Sequence, residues 1–285
     1  MTDESGLVVV DKPGGLTSHD VVARVRRAAG TRKVGHAGTL DPMATGVLVL
    51  GINRATRLLG HLTLTDKTYA ATVRLGAATT TDDADGEVVA TVSARGVGED
   101  DVRIALEEFR GDIEQIPSAV SAIKVDGRRA YARVRAGETV ELAPRPVTIH
   151  AIEAGGFRRD GEFLDLELRV SCSSGTYIRA IARDLGAALG VGGHLTALRR
   201  TSVGRFTLEG ATTDLEHLHI VPIADAARAT FPVRDLDETR ATDVRYGRSL
   251  DLELDGLTAV FAPDGEFLAL YEPRDGVARA VAVFV

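Results

Sequence analysis

The chain has 285 residues, of which 44% are hydrophobic and 26% are charged, a balance typical of a soluble globular protein with one or two domains. Its single cysteine, Cys172, excludes an internal disulfide and any metal centre that needs several cysteines, so we expect a reducing, cytoplasmic setting. The net charge of −7 weighs against a nucleic-acid partner, and no apolar run is long enough to span a bilayer, so we expect no membrane association.

The first half of the chain alternates strand and helix patterns. Thr17 with Asp20 resembles a capping box, and the apolar stripe that follows it has helical spacing up to Gly30. The predicted elements are a strand at 7–10, a helix between Thr17 and Gly30, strands at 67–75 and 87–92, and a helix at 100–110.

The second half adds a hairpin pattern and a change of composition after residue 228. The predicted elements are a basic helix at 128–136, strands at 146–153 and 163–172, a helix at 177–189, extended structure at 194–208, helices at 223–229 and 237–247, and strands at 257–262, 266–271 and 278–285. We therefore predict an α+β fold with a mixed, largely antiparallel sheet and helices on its faces. A domain at 1–228 would precede a small, mainly β domain at 229–285, too short for a large core of its own.

Charge is unevenly distributed along the sequence. Residues 1–60 carry eight Lys/Arg against five Asp/Glu, whereas residues 82–114 have a net charge of −8. Basic strips occur at 24–33, 124–135 and 199–205. Such strips permit a localised phosphate-binding surface, and ordinary charge mixing on solvated faces explains them equally well.

The most informative segment is 35–46, which contains Asp41. This is the only carboxylate between Asp20 and Asp66, and it stands before Pro42 among glycine-rich turns. The residue before a proline is pushed toward extended geometry, so the carboxylate would be held at a bend, where it can act as a nucleophile or a base. An Asp-Pro pair is also an ordinary helix start, and the pair alone favours that structural interpretation.

Four other polar residues stand at turns or element starts. Lys12 is either structural or at the edge of an anionic site, and Tyr69 on a strand either packs in the core or stacks on a base. Arg179 falls in the first turn of a predicted helix, where the helix dipole disfavours a cation. It is therefore either a surface arginine or one with a carboxylate partner. His36 is read as a hydrogen-bonded loop histidine, since no His/Cys cluster around it indicates a metal.

Together, these segments resemble the bacterial tRNA pseudouridine 55 synthase family. The resemblance covers about residues 5–210 in order. The matching strings are Lys-Pro-Gly-Gly-Leu-Thr-Ser (12–18), Gly-His-Ala-Gly-Thr-Leu-Asp-Pro-Met-Ala-Thr-Gly-Val-Leu (35–48), Lys-Thr-Tyr (67–69), Cys-Ser-Ser-Gly-Thr-Tyr-Ile-Arg (172–179) and Gly-Gly-His-Leu-Thr-Ala-Leu-Arg-Arg (192–200).

The resemblance implies an enzyme that isomerises the T-loop uridine of tRNA. The C1′–N1 bond breaks, the base rotates and C1′ joins C5, with no cofactor and no metal. It implies Asp41 as the catalytic carboxylate, Arg179 as its ion-pair partner and Tyr69 as the residue that stacks on the base and can act as base at C5. Asp41 would attack C1′, as in retaining glycosidases, or act as base on the sugar through a glycal; both routes stay open.

The resemblance also implies a set of substrate-binding residues. Leu198 would line an apolar wall, His36 would help to lever the uridine out of its stack, and Lys12 and Tyr177 complete the set. The partner would be the T-arm stem-loop of tRNA, bound by a monomer whose basic strips contact phosphates. The tail at 229–285 resembles only loosely the PUA-type RNA-binding domain of this family, because it is short and acidic.

Three rival functions follow from the same residues. A non-catalytic tRNA-binding or tRNA-folding protein would use the basic strips without Asp41. A carboxylate-dependent hydrolase would need a second carboxylate as acid, and the candidates Asp11, Asp20 and Asp66 read equally well as turn or cap residues. A cysteine nucleophile at Cys172 is the poorest of the three, since the strand pattern predicts a buried thiol there.

Overall fold

The computed structural model describes residues 4–120 and 142–285, with residue 133 and the backbone of 124–125 and 128–129. Across those ranges the molecule is built on a large mixed sheet. In spatial order its strands are β14 (Val221–Pro222), β1 (Gly6–Lys12), β3 (Thr45–Ile52), β12 (Gly193–Val203), β4 (Lys67–Leu75), β11 (Phe163–Cys172), β10 (Arg145–Asp160) and β7 (Gly111–Gln115).

Neighbouring strands of this sheet run antiparallel except at its centre. There β3 and β12 pair in parallel, with Arg199 beside Thr45 and Arg200 beside Gly46. Two further strands extend the sheet off this path: β2 (Val34–Ala37) pairs with β3, and β13 (Phe206–Thr207) pairs with β12. The prediction of an α+β fold with a mixed, largely antiparallel sheet is confirmed.

Helices and short turns connect the strands. The helices are α1 (Ser18–Ala28), α2 (Leu59–Thr63), α3 (Glu99–Glu107), α4 (Ile178–Ala188), α5 (Ile223–Thr230) and α6 (Glu238–Arg245), with 3-10 turns at Asn53–Leu58 and Leu208–Gly210. The predicted capping box is present: the Thr17 hydroxyl accepts from the Asp20 amide at 3.1 Å, and the Asp20 carboxylate accepts from the Thr17 amide at 2.8 Å. Both ends of the box satisfy amides that the first turn of α1 leaves unpaired. None of the helices in the described ranges is long and apolar enough to cross a membrane.

The two faces of the sheet are covered differently, because alternate strand residues point to opposite faces. Val8 and Val10 pack in a core with the apolar stripes of α1 and α4, whereas Leu7 and Val9 pack in a second cluster with Phe261 and other residues of the C-terminal strands. Those strands form a small sheet in the order β15 (Val233–Asp235), β16 (Thr258–Phe261), β17 (Phe267–Arg274) and β18 (Val277–Val283). The C-terminal strands thus pack against the large sheet. This fits the expectation that residues 229–285 are too few for a large core of their own.

Two short ladders complete the description, and one of them corrects a prediction. β5 (Ala77–Thr79) pairs with β6 (Val88–Thr91), and β8 (Lys124–Val125) pairs with β9 (Arg128–Arg129). The predicted helix at 128–136 is therefore wrong at its start, where the Asp-Gly sequence between β8 and β9 is a strong hairpin signal. The rest of that predicted helix except residue 133, and most of the basic strip at 124–135, lie outside the described residues.

Gly46 lies where β3 and β12 approach each other closely enough to exclude a side chain, and its substitution tests this approach. Its φ is 100°, and a Cβ atom there would lie 2.1 Å from the Arg200 carbonyl oxygen. We predict that Gly46→Ala destabilises the protein by at least about 1–3 kcal/mol, the usual cost of backbone strain at a positive φ, as a lower midpoint of urea unfolding. The control is Gly60→Ala in α2, where a Cβ meets nothing within 4 Å and alanine favours the helix. Equal midpoints for the two variants would contradict the close approach.

Candidate active site

Asp41 lies in the loop between β2 and β3, and contacts to the start of α1 fix this loop. The Ser18 hydroxyl accepts from the Leu40 amide at 2.9 Å and donates to the Leu40 carbonyl at 3.1 Å. The Ala44 amide donates to the Asp41 carbonyl at 3.1 Å, and β3 begins directly afterwards at Thr45. No helix starts at Asp41, so the structural interpretation of the Asp-Pro pair as a helix start is wrong.

Lys12 supports the same loop by hydrogen bonds to its backbone. Its side chain is fully buried, and its ammonium donates to the carbonyl oxygens of Pro13 at 2.9 Å, Leu16 at 2.7 Å and Pro42 at 3.3 Å. Burial lowers the pKa of Lys12 to about 8. The protein's own carbonyl oxygens thus occupy its three N–H donors. Of the two roles considered for Lys12, this contact pattern fits the structural one.

The guanidinium of Arg179 lies between two carboxylates. Its Nη2 is 3.0 Å from Oδ2 of Asp41, and its Nη1 is 3.3 Å from Oδ2 of Asp83. The same group donates to the carbonyl oxygens of Thr81 and Val120, each at 2.9 Å. The side chains of Arg179 and Asp83 are 4% and 5% exposed, whereas that of Asp41 is 36% exposed. The arginine and Asp83 are therefore enclosed, and Asp41 is the member of the trio that a substrate can reach.

The position of Arg179 resolves the alternatives left by the sequence. It follows Ile178, the first residue of α4, where the helix dipole is unfavourable for a positive charge. Two carboxylates and two carbonyl oxygens offset that cost, since a buried guanidinium needs its donors satisfied. Arg179 is not a surface arginine but the centre of a charge network.

Opposing influences set the charge state of Asp41. Burial raises the pKa of its carboxyl above the ordinary range, the Arg179 charge and hydrogen bond lower it, and the charge of Asp83 raises it. The Lys12 ammonium adds a smaller lowering effect. The pKa of Asp41 remains raised on balance, so the ionised carboxylate depends on its cationic neighbours.

A cavity of about 300 Å³ opens beside Asp41 and Arg179, a size that suits a small ligand such as a single nucleobase. The predicted residues Tyr69, Leu198 and Tyr177 line it. Tyr69 and Leu198 are each 8% exposed, so they form an enclosed wall. The structure thus brings together five of the seven candidate site residues.

His36 does not line this cavity. It lies on β2 opposite Leu50 of β3, with its ring edge-on to that of His19 at 5.6 Å between centroids. His36 therefore belongs to the strand that leads into the Asp41 loop. In the described part of the chain, no three His, Cys, Asp or Glu side chains lie close enough together to hold a metal ion.

Three residues of the site escaped the sequence reasoning. Asp83 falls in the acidic segment 82–114, where local sequence gives no sign of its pairing with Arg179. Lys67 lines the cavity, with its ammonium held by the carbonyl oxygens of Thr63 at 2.9 Å and Thr65 at 2.6 Å. Arg200 also lines it and is 1% exposed. Lys67 and Arg200 each fall within a family-like string, and Arg200 also falls in the basic strip 199–205, but neither signal placed them in the site.

Comparisons with known proteins identify the family of the chain. Residues 26–178 match the TruB family pseudouridylate synthase N-terminal domain, residues 179–230 the tRNA pseudouridylate synthase B C-terminal domain, and residues 231–285 the tRNA pseudouridine synthase II C-terminal domain. Proteins named tRNA pseudouridine synthase B from Arthrobacter sp. (strain FB24) and Thermobifida fusca (strain YX) are each 57% identical to the chain. The alignments cover 98% of this chain in both cases, with 96% and 98% of the respective relatives.

A solved structure shares the fold. One chain in the crystal structure of a Cbf5-Nop10-Gar1 complex superposes with a TM-score of 0.70 at 26% identity, over 98% of this chain and 85% of that one. The matched family models and the named relatives define the protein as a pseudouridine synthase. The chain belongs to the TruB family of pseudouridylate synthases.

The Asp83 carboxylate yields a prediction for the pH dependence of activity. If Asp41 must be ionised, activity falls as the pH drops through the raised pKa of Asp41. Removing the charge of Asp83 removes one cause of that rise, so in Asp83→Asn the acid limb of kcat/KM moves to lower pH, while kcat itself falls because Arg179 loses a partner. Asp85→Asn, an exposed neighbour, serves as the control and keeps the wild-type limb. An acid limb of Asp83→Asn that stays in place or moves to higher pH would refute the coupling.

Proposed function

We propose that this protein isomerises uridine 55 in the T-loop of tRNA to pseudouridine, with Asp41 as the catalytic carboxylate. The protein is a tRNA pseudouridine synthase by its family and its relatives; the T-loop position and the roles of the residues are the proposal. The single observation that carries it is the Asp41 carboxylate, 3.0 Å from the Arg179 guanidinium at the wall of a nucleobase-sized cavity.

The chemistry requires a negative oxygen near the sugar. The C1′–N1 bond breaks with its electron pair on the uracil, and C5 then attacks C1′. Asp41 assists either by attacking C1′, as a carboxylate does in retaining glycosidases, or by taking a sugar proton and passing through a glycal. Both routes need the ionised form, and Arg179 supports it by its charge and hydrogen bond.

The cavity walls suit an everted nucleotide. Tyr69 would stack on the uracil and act as base at C5, Leu198 would supply the apolar wall opposite, and Tyr177 would border the entrance beside Arg179. Extruding a base from its stack costs a few kcal/mol, and His36 would support the loop that fills the gap. Lys12 would act on the substrate only through the backbone of that loop, because its donors are occupied.

Exposed basic residues provide an electrostatic surface for tRNA. In the strip 24–33, the side chains of Arg24, Arg27, Arg32 and Lys33 are exposed, and phosphate contacts of this kind weaken with salt. The arginines of the strip 199–205 differ in exposure, since Arg205 is exposed and Arg200 is buried. We assign phosphate contacts to the exposed members only.

We extend the proposal to the oligomeric state, the compartment and the domains of the protein. The protein would act as a monomer in the cytoplasm on the T-arm stem-loop, without a metal or cofactor. Residues 1–228 would form the catalytic domain, and residues 229–285 a small PUA-like domain that packs on the back of the sheet.

Mapping the modified nucleotide tests the proposal. An unmodified tRNA transcript is treated with the protein in buffer containing EDTA, and pseudouridine is located by carbodiimide-dependent primer extension. The proposal expects modification at uridine 55 and none in a transcript with cytidine there. Modification at another position refutes the T-loop assignment, and binding without modification would mark the protein as a tRNA-folding factor.

We predict that Asp41→Asn abolishes pseudouridine formation and leaves tRNA affinity within a few-fold of wild type. The amide retains the shape of the carboxylate but can neither attack C1′ nor accept a proton at neutral pH. Single-turnover assays and filter binding measure the two properties separately. The matched control is Asp235→Asn, which keeps normal turnover because Asp235 is a surface carboxylate at the end of β15, paired with Arg228 of α5. Normal turnover by Asp41→Asn would remove Asp41 from the mechanism.

A further inference from the structure

Besides Lys67, the cavity has a second and more deeply buried cation that the mechanism above does not use, Arg200. It lies on β12 directly opposite Tyr69 of β4, it is 1% exposed, and it lines the cavity together with Tyr69. Arg199, its neighbour, points the other way and forms an ion pair with Asp11 at 2.6 Å. The two adjacent arginines therefore serve different faces of the sheet.

The hydrogen bonds of Arg200 join β12 to the loop that carries Asp41. Its Nε donates to the carbonyl oxygen of Val47 at 2.7 Å, and its Nη2 donates to that of Gly38 at 3.1 Å. Gly38 precedes Asp41 by three residues and has a φ of 84°. The side chain of Arg200 thus contacts both the catalytic loop and β3, while Arg200 itself stands opposite Tyr69.

Among the described residues, no carboxylate is paired with the charge of Arg200. Across residues 4–120 and 142–285, Arg200 takes part in no ion pair, although it is one of the most deeply buried side chains there. A buried charge without a counterion is costly, and the ammonium of Lys67 adds a second positive charge to the same wall. Tyr69 faces Arg200 across the two strands and lines the same cavity.

The buried surroundings of Tyr69 and the charge of Arg200 act in opposite directions on the pKa of the Tyr69 hydroxyl. Burial raises the pKa of its hydroxyl, while the charge of Arg200 and a hydrogen bond from it lower it. The negative charges of Cys172 and Asp41, when present, act in the same direction as burial. Arg200 is thus the neighbour that favours a negative Tyr69 oxygen.

We propose that Arg200 is a positioning residue that holds the Tyr69 oxygen and stabilises it as a phenolate for removal of the proton from C5. The inference rests on the proposed role of Tyr69 as the base. After C5 has joined C1′, the C5–H bond breaks and the proton passes to the Tyr69 oxygen. The electron pair returns to the ring and reaches N1, which takes a proton from water, and Tyr69 returns its own proton to water. Guanidinium donors stabilise an anionic oxygen more than a neutral one.

The test compares tRNA substrates that carry protium or deuterium at C5 of the target uridine, in single turnover. In Arg200→Lys the rate falls by at least about tenfold, a part of the roughly 10²–10⁴-fold that a general base contributes, because a lysine lacks the planar guanidinium fork that reaches Val47 and Gly38 from separate nitrogens. The C5 isotope effect becomes larger than in the wild type, because proton removal becomes slower relative to the other steps. Arg200→Gln, which removes the charge, shows a still larger isotope effect.

The outcomes separate this inference from a structural role. If Arg200 only fixed the Asp41 loop, cleavage of C1′–N1 would slow instead, and the isotope effect would stay at or below the wild-type value, which overturns the proposal. Arg74→Lys is the matched control: Arg74 is a half-buried arginine of β4, paired with Asp165 at 2.7 Å and remote from the cavity, and its isotope effect equals that of the wild type.

Tyr69→Phe distinguishes a failure of the inference from a failure of the proposed function. Normal turnover by Tyr69→Phe would remove Tyr69 as the base, and both would fail. Loss of turnover by Tyr69→Phe together with a normal rate and isotope effect in the Arg200 variants would refute the role of Arg200 alone. Thermal unfolding and tRNA affinity within a few-fold of wild type confirm that each variant is folded.

Discussion

The site depends on one guanidinium shared between two carboxylates. Arg179 is almost fully enclosed, and Asp83 is equally enclosed on its far side, so the ion pair with Asp41 has one member fixed deep in the protein and one facing the cavity. Removing one partner of a buried pair leaves an uncompensated charge, so Arg179, Asp83 and Asp41 act as a unit. The fold serves this unit: α4 supplies the arginine, the loop before β3 supplies Asp41, and the segment after β5 supplies Asp83.

The sheet explains how such distant segments meet. At its centre β3 and β12 run in parallel, and Gly46 allows the two backbones to approach so closely that no side chain fits between them. Lys12 and Arg200 then tie the loop to its surroundings through backbone carbonyl oxygens. These cations hold the loop through carbonyl oxygens without neutralising Asp41, and the positive charge of Lys12 also favours the ionised form of Asp41. Lys12 therefore both supports the loop and tunes the charge of the carboxylate.

Much of the fold and part of the candidate site could be predicted from local sequence patterns. The capping box at Thr17 and the long strand at 67–75 rest on short-range physical rules, and both are confirmed. For Arg179 those rules left a surface arginine and a carboxylate partner both open, and the pairing with Asp41 was implied only by the family resemblance. The helix at 128–136 was wrong at its start because a hairpin signal competed with helical spacing. Asp83 could not be found at all, since 96 residues separate it from its partner and neither local charge nor periodicity encodes that contact. Long-range ion pairs of this kind require the fold.

A direct measurement of the Asp41 charge tests the account most closely. Protein labelled with 13C at the aspartate carboxyl carbons is titrated by NMR, with Asp41→Asn used to assign the Asp41 signal. We predict that the Asp41 carboxyl is ionised at neutral pH and titrates above the ordinary aspartate range, and that its pKa rises further in Arg179→Lys, which loses the guanidinium shared with Asp83. An Asp41 carboxyl that titrates in the ordinary range and does not respond to Arg179→Lys would contradict a carboxylate kept ionised by Arg179.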